Sequence, residues 1–148
     1  LPYAQEWLTA AECDDLLAFL KASLAQITEI VRRDTKRIAA ALVPSAVPRL
    51  MDRRFGDWRL LADEYEHENW LDAGETDRLD QVLDAILVRS ARFCPVLLTL
   101  VKEGEENVGG AGVITDVLRF PGDPVRRWLD RRVLRDVVRE ARGVNAQV

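Results

Sequence analysis

The stretch TAAECDDLLAFLKASLAQITEIVRRDTKRIAAAL, residues 9–42, contains neither proline nor glycine. Its apolar side chains fall at Cys13, Leu17, Leu20, Leu24, Ile27, Val31, Ile38 and Ala41, and only Asp34 interrupts the series. Steps of three and four residues are the period of a helix. Thr9 and Glu12 stand three apart as a capping box, and Leu8 before them is placed to staple onto Cys13. One helix of this span is about 50 Å long at roughly 1.5 Å per residue. The lapse at Asp34 and Thr35, amid Arg32, Arg33, Lys36 and Arg37, is where a kink or break would fall. A rod this long has to lie along other helices or along a second copy of itself.

Outward from that rod, the punctuation reads as further helices. Pro44 and Pro48 end the first element. Pro48 suits the first turn of a short helix carrying Leu50, Met51 and Phe55, with Gly56 closing it. Asp57 is placed to cap the next, whose Trp58, Leu61 and Tyr65 share a face and which Gly74 ends. Glu75 or Thr76 opens a helix with Leu79, Val82, Leu83, Ile86 and Leu87 at helical spacing, and Pro95 interrupts it. Val96 to Val101 is apolar but too short for its period to decide between helix and strand. Residues 104–112 read as a glycine-rich loop, Val113, Ile114, Val117 and Leu118 as a short helix, and Phe120-Pro121-Gly122 as a turn. Asp123 as N-cap with Pro124 behind it starts the last helix, which Gly143 is suited to end. The reading is an all-α, single-domain helical bundle over residues 1–148 with a long N-terminal helix, and a small β-hairpin near 96–118 is the competing detail. Because the first residue is Leu, the chain also reads as an excised piece of a larger protein.

With 148 residues, 48% of them hydrophobic and 31% charged, the composition is that of a globular domain rather than a disordered one. A net charge of -4 argues against an all-over basic coat for non-specific nucleic-acid binding. No apolar run approaches the roughly 18 residues of a membrane-spanning helix. No signal segment opens the chain, so a cytoplasmic setting without a membrane is expected. Cys13 and Cys94 adjoin apolar runs and read as small hydrophobes.

Charge is segregated along the chain. From Asp63 to Asp80 eight acids face Arg78 alone, whereas from Arg119 to Arg142 eight arginines face four acids. Solvated helix faces are the plain explanation, each exposed ion pair being worth about 0 to 1 kcal/mol. The sharper one docks the acidic block on the basic block, within one molecule or between two. Arg126, Arg127, Arg131, Arg132, Arg135 and Arg139 would then be the contact residues on one side, and Asp72 and Asp77 those on the other. Trp70, after the acidic run, would serve as an anchor. A third explanation sets the last helix against phosphate, although Asp136 and Glu140 interrupt the patch.

Catalytic residue types are scarce. His67 is the sole histidine and follows Glu64 by three residues, the helical spacing of a carboxylate and imidazole on one metal. A second copy of the chain would have to complete such a site. Gly109-Gly110-Ala111-Gly112 lacks the Lys-Ser/Thr of a phosphate-binding loop and reads as a flexible connection. No cofactor is expected. The function expected is a non-catalytic protein-protein interaction or adaptor module, self-associating as a homodimer through the first helix. The alternatives are a nucleic-acid-binding regulator using the Arg-rich last helix, and a metal-dependent enzyme assembled as a dimer around Glu64 and His67.

Overall fold

Residues 49–64, expected as two short helices, form a β-hairpin in the computed structural model, which describes residues 7–67 and 76–146. Strand β1 (Arg49–Phe55) pairs antiparallel with β2 (Trp58–Glu64), Phe55 opposite Trp58. Only Gly56 and Asp57 lie between them. Gly56 takes φ +59, the conformation that lets a glycine open a tight type II′ hairpin turn. Along β2 every second residue, Leu60, Ala62 and Glu64, is buried, which is a strand's period of two and not a helix's.

Strand β3 (Arg92–Phe93) precedes β4 (Val96–Lys102), the undecided apolar run; β4 lies between β2 and β5 (Val108–Ile114) in an antiparallel sheet of order β1-β2-β4-β5. The glycine-rich segment is therefore strand, not flexible loop. Its missing side chains have a purpose: a Cβ on Gly110 would stand 2.2 Å from the Val137 carbonyl oxygen, and one on Gly112 2.8 Å from Val133 Cγ1. Strand β6 (Leu118–Arg119), also expected as helix, pairs with β3 in a two-stranded ribbon.

Helix α1 (Ala10–Leu42) starts at the expected capping box, with the Thr9 N–H donating to Glu12 at 2.8 Å and the Glu12 N–H to Thr9 Oγ1 at 3.2 Å. It runs through Asp34 without a break. Helix α2 (Thr76–Arg89) matches the second helical pattern. The last expected helix is two. A four-residue α3 (Val125–Trp128) is followed by α4 (Arg131–Ala146). Asp123 does not cap it: its carboxylate accepts the Phe120 N–H at 3.0 Å and closes the turn, while Asp130 accepts the Arg132 N–H at 2.8 Å and caps α4. Gly143 lies within α4 rather than at its end.

The protein is thus mixed α/β and not an all-α bundle. It forms two compact units, residues 1–36 and 37–148, with α1 starting in the first and ending in the second. In the second unit α4 packs on β5 and β4, and Leu60, Ala62, Val96, Leu98, Ile114 and Val137 form the buried core between them. A smaller core joins Ile38 and Ala41 of α1's last turns to Val82 and Ile86 of α2 and to Phe93.

Candidate interaction surfaces

Within the first unit, α1 presents an apolar stripe that is exposed among the described residues. Leu17, Leu20, Leu24, Ile27 and Val31 are all exposed, Leu24 by 63% and Val31 by 57%. From Cys13 to Val31 the steps are 4, 3, 4, 3 and 4, a strict seven-residue repeat, and that is the narrow seam by which one helix packs on another of the same kind. Charge is polarised along the same helix. Glu12, Asp14 and Asp15 lie near its start, and Arg32, Arg33 and Lys36 near its far end, where surface pairs of Arg32 with Glu29 and Arg33 with Asp34 at 3.4 Å neutralise part of the excess. No helix among the described residues is long and apolar enough to cross a membrane.

On α4, Val133, Val137 and Ala141 face the sheet, and Arg131, Arg132, Arg135 and Arg139 are exposed. Arg127 pairs locally with Asp123 at 3.4 Å and Arg139 with Asp136 at 3.6 Å. Arg126, Arg131, Arg132 and Arg135 have no ion pair among the described residues. Three of them, Arg126, Arg131 and Arg135, edge a shallow concavity of about 320 Å³. Trp70 and Asp72, and the side chain of Asp77, lie outside the described residues. Between the acidic and basic blocks, the pair among the described residues is Glu64 with Arg119, a contact not singled out from the sequence.

Glu64 is the centre of a buried knot. Its side chain is 1% exposed, Arg92 donates to it at 2.8 Å and Arg119 at 2.5 Å, and the Ser45 hydroxyl and N–H reach the other carboxylate oxygen at 2.8 and 3.1 Å. Arg92 also donates to the Ala40 and Val43 carbonyls, so the knot fastens the end of α1 to β2, β3 and β6. Burial alone pushes the Glu64 carboxyl up, but the hydrogen bonds from Arg92 and Ser45 outweigh it and hold the group below its ordinary value. Nearby Cys94 is pushed up by burial and by the Glu64 charge, the opposite of an activated thiol.

The helical spacing read for Glu64 and His67 is not what the structure has. Glu64 ends a strand and His67 follows in the loop, so the two are not on one helix, and both Glu64 oxygens are taken by arginine and serine donors. Among the described residues no group of three potential ligands converges.

Comparison with known families places residues 48–147 in a family described as the C-terminal domain of YubG, and residues 1–38 in one described as the N-terminal domain of YubG. No solved structure matches the chain.

Proposed function

We propose that this chain, which belongs to the YubG family, is a non-catalytic protein-interaction module that pairs with a second copy of itself through α1. The seven-residue repeat from Cys13 to Val31, exposed from Leu17 onward, carries this reading. The polarised charge favours an antiparallel pair, in which the acidic start of one helix meets the basic end of the other. A register centred near Ala22 sets Leu24 against the partner's Leu20, Leu17 against the partner's Ile27 and Cys13 against the partner's Val31. Asp34 then falls beyond the seam. A parallel pair in register would instead hold the two Asp34 carboxylates against each other.

Sedimentation equilibrium tests this. Leu24 is buried twice in a symmetric pair, so Leu24→Ala removes about 1.5 kcal/mol from each copy. The dissociation constant should rise about a hundredfold, at 1.4 kcal/mol per decade. A wild-type chain that stays monomeric at tens of micromolar contradicts the proposal. A reducing, cytoplasmic setting is part of the same reading, supported by the free thiols of Cys13 and Cys94.

A second reading, nucleic-acid binding by α4, is supported by Arg126, Arg131, Arg132 and Arg135, which have no ion pair among the described residues. Under it the chain retards duplex or single-stranded nucleic acid at about 50 mM salt and releases it as salt rises, because each neutralised phosphate frees a counterion. Changing Arg132, Arg135 and Arg139 to Glu then abolishes retardation and leaves self-association intact. No retardation at low salt contradicts it.

A further inference from the structure

Between the Leu134–Val138 flank of α4 and the β1–β2 hairpin runs a cleft of about 400 Å³. Its floor is Trp58, Leu60 and Leu100, its wall Leu134 and Val138, and the single charged group at its rim is Arg142. The floor is built rather than collapsed: Leu60 and Leu100 are 6% and 9% exposed, and the Trp58 ring lies against Gly109, where a Cβ would stand 2.8 Å from its Cζ3. Arg142 has no ion pair among the described residues.

Size and charge select the occupant. One turn of an α-helix about 10 Å across and 5.4 Å long already fills roughly 400 Å³, so a docked helix of several turns does not fit. The volume instead lies in the range of small-molecule sites, which are mostly apolar with a few placed polar groups. An apolar floor with one guanidinium at the edge is complementary to an aliphatic body ending in an anion.

We infer that this cleft binds a straight-chain aliphatic carboxylate, its chain against Trp58, Leu60 and Leu100 and its carboxylate on Arg142. Its residues are distinct from those of the α1 seam.

The test is titration of the full chain with octanoate, decanoate and dodecanoate below their micellar concentrations, read from the Trp58 indole N–H by NMR and assigned with Trp58→Phe. Saturable shifts at Trp58 are expected, with affinity rising about fourfold per added methylene until the cleft is full. Arg142→Gln, a change at an exposed position, should weaken dodecanoate about fivefold, the size of one partly exposed ion pair. It should leave dodecanol binding unchanged. No saturable shift at Trp58, equal dodecanoate affinity in Arg142→Gln, or shifts centred on Leu17 to Val31 of α1 would each overturn the inference.

Discussion

Glu64→Gln should lower the unfolding free energy by about 3 to 5 kcal/mol, the cost of removing one partner from a buried ion pair. The substitution keeps the shape and removes the charge, which leaves the guanidinium of Arg119, 13% exposed, and that of Arg92 without their counter-ion. Burial already pushes Arg119 below its ordinary value, and its Nε has no hydrogen-bond partner among the described residues. Against a typical total of about 5 to 15 kcal/mol, the loss is a large share of stability. Urea denaturation of wild type and variant measures it. The pH dependence has a definite sign. A carboxyl held below its ordinary 4.5 in the folded state binds fewer protons folded than unfolded. Its contribution is complete above about that pH and is lost as pH falls through the folded value. Glu64→Gln should lack this slope. If Gln costs less than about 1 kcal/mol, the knot is not the fastening described.

Gly110→Val should be comparably severe, about 3 kcal/mol or more, the upper range of overpacking. The obstruction is backbone: the new Cβ would meet the Val137 carbonyl oxygen at 2.2 Å, and no rotamer change relieves it. Helix α4 would have to lift from β5, opening the core at Val137 and Ala141, both at most 2% exposed. Gly143, in the same helix, has nothing within 4 Å of its would-be Cβ. Gly143→Ala should therefore stabilise by up to about 1 kcal/mol. The opposite signs, read from one pair of denaturation curves, separate close approach from helix propensity.

These two positions also explain what the sequence could and could not disclose. Helices α1 and α2 were legible because their apolar residues repeat over several turns. Strand β1 was not: in RLMDRRF only Met51 is buried, so the alternation has one term. In β2 the inward set includes a carboxylate, Glu64, which hides the period of two behind a charge. Gly56-Asp57 between two strand-length runs is the available hairpin signal, but the same pair also suits a helix end followed by a cap. Gly109 to Gly112 misled because glycine marks loops more often than close packing. The knot of Ser45, Glu64, Arg92 and Arg119 joins residues far apart in the chain and carries no spacing to find. The α1 stripe was legible as apolar, but its spacing alone does not disclose its exposure.

Self-association through α1 is tested most directly by the distance between spin labels attached through Ala11→Cys on the two copies, in the full chain carrying Cys13→Ser, measured by pulsed electron paramagnetic resonance. Cys94 is 1% exposed and escapes labelling, whereas Ala11 is exposed and lies off the seam. An antiparallel pair centred near Ala22 separates the two positions by twenty-two helical steps, about 33 Å at 1.5 Å per residue. A distance near that value is expected, and it should vanish when Leu24→Ala is added at the same concentration. A distance below about 20 Å, the signature of a parallel pair on the length scale of two helix diameters, or no dipolar coupling between copies would contradict it.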